Sequence, residues 1–294
     1  MPYNNDKVAK NLKPGWLKIK LHNDDTFADV SKIVEKHHLH TICDSGKCPN
    51  KSECWSRRTA TFMILGDICT RSCKFCATKT GRPLPPEESE PREVAESIRL
   101  MGLKHAVLTS VDRDDLPDGG AAHWAAVIRA IREVNPSTTI EVLIPDFDGR
   151  TEMLDTVIDA KPDIIGHNIE TVERLTPMVR SRAKYRTSLE VLRYIASRGA
   201  VAKSGIMLGL GETEEEILRT LDDLADVGCS IVTLGQYLRP TLAHYPVAEY
   251  VTPGKFAMYG DLARMRGFKY VASAPLVRSS YLAEQALGSI NKQD

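Results

Sequence analysis

The stretch from Cys43 to Cys76, CDSGKCPNKSECWSRRTATFMILGDICTRSCKFC, holds six of the seven cysteines of this 294-residue chain. They form two triplets, C-x4-C-x5-C (Cys43, Cys48, Cys54) and C-x3-C-x2-C (Cys69, Cys73, Cys76). The N-terminus has no apolar signal-peptide core, so clustered thiols point to metal or redox chemistry rather than to structural disulfides. Three thiolates from one tight loop can hold three irons of a four-iron cluster and leave the fourth iron open to another ligand. Zinc is the alternative. Zinc loops commonly use C-x2-C pairs totalling four ligands, which an x3-then-x2 spacing fits poorly. Cys229 stands alone at the start of an apolar run and reads as a buried, inert thiol.

The elements that must position these thiols begin after Thr59. Short β-rich runs at 60–66, 105–111, 139–145, 163–170, 202–210 and 229–236 alternate with segments whose apolar residues recur at helical spacing. Most of the helical segments stop at Gly or Pro, and Thr213 with Glu216 forms a capping-box pattern. Six strand–helix alternations predict a parallel sheet with crossover helices, its strands apolar on both faces. Six units are too few for a closed eight-stranded barrel and suit either a partial barrel or a doubly wound sheet. In both, ligands bind at the edge where strands end, and Cys69, Cys73 and Cys76 follow the first strand by a few residues. The first 58 residues lack this rhythm. The segment 81–91 reads as a Pro-rich acidic connector.

Lys+Arg and Asp+Glu both total 39, so the formal net charge is zero and nothing global favours nucleic acid or an anionic membrane. No apolar run reaches the ~18–20 residues of a membrane span. The expectation is a cytoplasmic monomer with no nucleic-acid or membrane partner.

The motif CTRSCKFC, with Phe75 as its aromatic, resembles the C-x3-C-x-φ-C signature of the radical S-adenosylmethionine superfamily. The first triplet placed before it, the terminal RSSY (Arg278–Tyr281), and TSVDRDDLPDGGA, HNIETV, GIMLGLGET and LGQYLRP are together similar to the lipoyl synthase family over roughly residues 40 to 285. That resemblance implies an α/β fold with a partial (β/α)6 barrel of TIM type: 1–58 as an extension carrying the first triplet, 59–250 as the barrel core, and 251–294 as a closing helix and RSSY segment. It implies two 4Fe-4S clusters and S-adenosylmethionine as cofactors. Cys69, Cys73 and Cys76 would hold the cluster that binds S-adenosylmethionine. Cys43, Cys48, Cys54 and Ser280 would hold a second cluster that is consumed as the sulfur source. The implied reaction inserts sulfur at carbons 6 and 8 of an octanoyl-lysine on a lipoyl-carrier protein or domain. The implied helpers are a flavodoxin or ferredoxin as electron donor and an iron–sulfur carrier protein for cluster rebuilding.

Hydroxyl oxygen is a harder ligand than thiolate, so Ser280 reads as a releasable ligand, with Arg278 stabilising nearby negative charge. The resemblance assigns Asn168 and Glu170, at the end of the fourth strand, to S-adenosylmethionine. Arg182 is placed against the cofactor carboxylate, with a solvated basic surface as the alternative. His167 reads as a packed strand residue. Gly209–Thr213 and Asp118–Gly120 read as close-approach turns, and Gln236, Tyr237 and Arg239 as channel residues. Within the enzyme class the rival reading is another sulfur-inserting radical enzyme, such as a biotin-synthase or methylthiotransferase relative; the first triplet's spacing and place, with the terminal RSSY, favour the lipoyl synthase resemblance. The rival from another class is a non-catalytic iron–sulfur or zinc regulator, which would not call for six β/α units with ligand-like turns at strand ends.

Overall fold

The computed structural model describes residues 13–19, 24–37, 39–57, 59–280 and 284–290; Tyr281, the last residue of RSSY, lies outside them. Among the described residues ten strands occur in chain order: β1 (His40–Thr41), β2 (Thr61–Ile64), β3 (Ile68–Cys69), β4 (Lys79–Thr80), β5 (His105–Ser110), β6 (Thr139–Leu143), β7 (Ile164–Gly166), β8 (Ala202–Leu208), β9 (Ile231–Gln236) and β10 (Tyr270–Ser273). Eight of them form one sheet in the order β1-β2-β5-β6-β7-β8-β9-β10. Only β1 runs antiparallel, pairing His40 with Met63 and Thr41 with Phe62. From β2 to β10 the order follows the chain without reversal. This separates a barrel from a doubly wound sheet, whose strand order reverses at a switch point. β1 and β10 are the free edges of the sheet, so the barrel is partial. Strands β3 and β4 form a small parallel pair of their own.

Each of the six expected strands is present, and β1 and β10 join them. β10 carries no turn signal of its own and was not expected from the sequence. Helices Glu90–Met101, Ala121–Val134, Thr151–Ile158, Tyr185–Ser197, Glu214–Asp226 and Pro253–Arg264 alternate with the strands. Their apolar faces cover the outside of the sheet: Ile98, Trp124, Ile128, Leu192, Leu221 and Phe256 are fully buried. The capping box at Thr213 forms as read, with Glu216 N–H donating to Thr213 Oγ1 at 3.3 Å and Thr213 N–H to Glu216 Oε2 at 2.8 Å. Among the described residues no helix is long and apolar enough to cross a membrane.

The expectation of strands apolar on both faces needs correction. Alternation along a strand sends Ile140 and Val142 toward the helices and Glu141 inward. The inner face also carries Thr109, Gly205 and Thr233, which line a central cavity with Glu141. Near its floor Lys203 of β8 donates to Glu141 of β6 at 2.6 Å, both nearly inaccessible to solvent. The inner face mixes these polar and small residues with apolar ones such as Val107 and Leu143, because it lines a space instead of a packed core.

Candidate active site

That cavity has a volume of about 390 Å³. Cys43, Cys48, Cys69, Cys73, Cys76, Phe75, Asn168, Glu170, Arg278 and Ser280 all stand on its wall. Cys54 lies behind the first of these, within electrostatic reach of both Cys43 and Cys48. Five of the six clustered cysteines therefore line one cavity, and the sixth, Cys54, stands near two of them.

The radical-type loop is fixed by backbone. Cys69 ends β3, and its carbonyl accepts from Gly81 N–H at 3.0 Å. Its sulfur accepts N–H groups from Asp112 at 3.3 Å and Arg71 at 3.4 Å. Lys74 N–H donates to the Val179 carbonyl at 2.7 Å, and Tyr245 N–H to the Lys74 carbonyl at 2.8 Å. His244 Nε2 donates to the Cys76 carbonyl at 2.9 Å. Below the loop the buried Arg71 guanidinium reaches Asp112 at 3.3 Å, Asp114 at 2.8 Å and Asp146 at 2.9 Å. Burial raises the Asp112 carboxyl, and Arg71 opposes the rise.

The first triplet is built from two short helices, Ile42–Ser45 and Lys51–Ser56, joined by a loop that carries Cys48. Burial pushes the Cys43 thiol up to about 11 and the Cys54 thiol to about 12. Cys69 of the other triplet is likewise pushed up to about 12 by burial. Without metal these thiols keep their protons at neutral pH, and binding of a thiophilic cluster displaces them. Donors for the deprotonated form are in place. The buried Trp55 indole N–H and the Thr61 main-chain N–H both face the Cys43 sulfur and favour its thiolate. The chemistry of this donor set, three soft thiols per group with N–H donors aimed at sulfur, fits iron–sulfur clusters.

The C-terminal segment crosses the open side of the barrel to reach this place. Gln236 N–H donates to the Pro275 carbonyl at 3.1 Å, and Asn50 Nδ2, between Cys48 and Cys54, donates to the Leu276 carbonyl at 2.8 Å. Arg278 is half-buried near Cys48; desolvation pulls its guanidinium down, and Cys48 opposes that. Ser279 Oγ accepts from Asn168 Nδ2 at 2.7 Å. Ser280 Oγ accepts from Thr61 Oγ1 at 2.9 Å. Three consecutive residues thus contact the first triplet, the HNIE strand end and β2.

Glu170 has φ of +68°, a strained value for a side chain of this size, and the main chain pins it. Its N–H donates to Gly205 at 3.0 Å and its carbonyl accepts from Met207 at 2.8 Å. Burial raises its carboxyl, with Arg180 opposing. Arg182 does not reach the cavity wall. It is half exposed and forks onto Asp148, with bonds of 3.1 and 2.7 Å. Arg180, two residues earlier and nearly buried, lines the cavity instead. Sequence reasoning missed it because an irregular loop has no period to tell two nearby arginines apart.

Gln236 and Tyr237 line the cavity, whereas Arg239 folds its own loop by donating to the His244 carbonyl at 2.9 Å. His167 is packed, but it stands one residue past the end of β7 and lines the cavity, so the strand reading is corrected. The GLGET turn is closed by Glu212, which accepts Gly209 N–H at 2.5 Å and Leu210 N–H at 2.9 Å. The close approach at Asp118–Gly120 is to the Leu65 side chain, not to a ligand position. Cys229 is buried, and burial pushes its thiol up to about 12.

Residues 63–224 match the model of the Radical SAM superfamily. The chain is similar to the lipoyl synthase of Parabacteroides distasonis, 64% identical over 279 residues that cover 95% of this chain and 99% of that one. It is also similar to the lipoyl synthase of Treponema denticola, 56% identical over 278 residues covering 95% and 96%. Among solved structures it resembles methylornithine synthase, with a TM-score of 0.52 at 11% identity, covering 88% of this chain and 85% of that one. At that identity the likeness speaks to the fold alone.

Proposed function

The chain belongs to the lipoyl synthases of the radical S-adenosylmethionine superfamily, and on that premise we propose which of its residues carry each part of the reaction. The reaction inserts two sulfur atoms, at carbons 6 and 8, into an octanoyl chain held on a lysine of a lipoyl-carrier protein, giving lipoyl-lysine. When bound, S-adenosylmethionine and two 4Fe-4S clusters supply the hard chemistry, a 5′-deoxyadenosyl radical from the first pair and sulfur from the second cluster.

Cys69, Cys73 and Cys76 hold the cluster that S-adenosylmethionine completes, and Cys43, Cys48, Cys54 and Ser280 hold the sulfur-donating one. Asn168 and Glu170 orient S-adenosylmethionine, and Phe75 packs beside it. Arg180, rather than Arg182, is the cation on that wall. Arg278 sits beside Cys48 and favours negative charge there. The enclosing barrel keeps water and stray C–H bonds from the reactive carbon. The observation that carries this assignment is the meeting of both triplets and Ser280 around one cavity, although Ser280 follows Cys54 by more than 200 residues.

Cleavage of each S-adenosylmethionine consumes an electron, so a flavodoxin or ferredoxin serves as donor. Sulfur leaves with the product, so an iron–sulfur carrier protein restores the cluster. The reducing cytoplasm suits six unpaired thiols. The blocks 1–58, 59–250 and 251–294 act as cluster arm, barrel and closing segment. The test is anaerobic reconstitution followed by an octanoyl-lysine peptide. About eight irons per chain and two added sulfurs by mass spectrometry are expected. The Ser280→Cys variant should bind iron but turn over more slowly than the parent, because thiolate holds iron more tightly than a hydroxyl oxygen. Equal turnover refutes the releasable-ligand reading.

A further inference from the structure

We propose that Thr61 is a positioning residue for the sulfur-donating site, holding the Ser280 hydroxyl in place beside Cys43. The proposal rests on the assignment of Cys43 and Ser280 as ligands.

Ser280 reaches the site from the far end of the chain, and no strand pairing carries it there. The β1–β2 ladder ends at the Thr41–Phe62 pair, so the next residues on each side, Ile42–Cys43 and Thr61, continue side by side. Thr61 then contacts both chain ends. Its main-chain N–H faces the Cys43 sulfur, and its Oγ1 donates to Ser280 Oγ at 2.9 Å. Thr61 is only 5% exposed, so little water competes for that hydroxyl. As a β-branched residue in a strand it has few χ1 states, which fixes the position of its Oγ1.

A free serine side chain samples three rotamers, only some of which aim its oxygen at the thiols. Ser279 is already committed to Asn168, and Arg278 to the neighbourhood of Cys48. Among the described residues the bond from Thr61 is the one that selects the Ser280 rotamer. If Thr61 merely filled space, valine, with the same shape and the same branching, would replace it without consequence.

The full-length chain and its Thr61→Val, Thr61→Ser and Ser280→Ala variants are reconstituted anaerobically. Two quantities are read: the rate at which a chelator strips iron, and the electron paramagnetic resonance spectrum after reduction. Loss of one net hydrogen bond predicts that Thr61→Val loses the irons of one cluster about 2- to 10-fold faster than the parent. Its spectrum should shift toward that of Ser280→Ala, and Thr61→Ser, which keeps the hydroxyl, should restore the parental rate and spectrum. Parental behaviour of Thr61→Val beside an altered Ser280→Ala overturns the role of Thr61 and leaves the ligand assignment standing. Parental behaviour of Ser280→Ala itself overturns the ligand assignment and the proposal together. A folded Thr61→Val that Thr61→Ser fails to rescue assigns the effect to shape and also overturns it.

Discussion

His167 sits beside two candidate ligand residues and is itself fully engaged. His167 Nδ1–H donates to the Ile144 carbonyl at 3.0 Å. In the neutral ring Nε2 is then the acceptor, taking the Ser188 hydroxyl proton at 2.9 Å, while Ser188 Oγ accepts from Arg180 at 2.8 Å. Burial, with Arg180 and Arg71 nearby, lowers its pKa to about 4, against the opposing effect of Asp146. A lowered folded pKa means that the unfolded chain takes up the proton first as pH falls. The stability contribution is whole above pH ~6.5 and is lost between there and about 4, worth up to ~3 kcal/mol. Thermal unfolding of the metal-free chain should therefore fall less steeply over that window in His167→Gln than in the parent. Equal slopes would mean that His167 does not titrate on unfolding.

At the scale of elements, β9 and the barrel floor make the clearest demands. The C-terminal segment runs so close over Gly235 that a methyl group there would overlap the Val277 carbonyl. Gly235→Ala should cost about 1–3 kcal/mol in stability and reduce the iron held, since it lifts the segment that carries Ser280. Denaturant unfolding and iron analysis check the two effects separately. Lys203 and Glu141 are a buried pair reaching from β8 to β6, with His105 Nε2 3.8 Å from the carboxylate. Lys203→Met should lose about 3–5 kcal/mol, because it strands a buried charge. Adding Glu141→Leu should recover most of that loss. Failure of the double variant to recover would show that the pair holds the barrel by more than mutual neutralisation.

At the scale of the molecule, the partial barrel has an open side between β1 and β10, and residues 274–280 close it with side-chain and main-chain hydrogen bonds in place of a ladder. In the proposed assignment, closure and completion of the sulfur-donating site are the same event. A chain ending at Ala274 should keep about four irons and still cleave S-adenosylmethionine, yet add no sulfur to an octanoyl-lysine peptide. Iron analysis, 5′-deoxyadenosine formation and product mass check the three outcomes. Retention of about eight irons would show that the segment is not needed to hold the second cluster.

The thiol spacings, the six strand–helix alternations and the Thr213 capping box were legible because each is a local pattern. Loop chemistry depends on near neighbours, and amphipathic period depends on a few consecutive turns. By contrast, neither the Ser279–Asn168 bond nor the Thr61–Ser280 bond nor the preference of Arg180 over Arg182 for the cavity has a local signal. β10 pairs through its register with β9, and Glu141 of β6 finds Lys203 of β8 across the intervening β7. The linear order of residues determined what chemistry the thiols can do and which elements carry them. Which side chains face one another across the cavity was decided only when the sheet curled and its two ends came together, because contacts between distant segments arise from packing geometry and not from spacing along the chain.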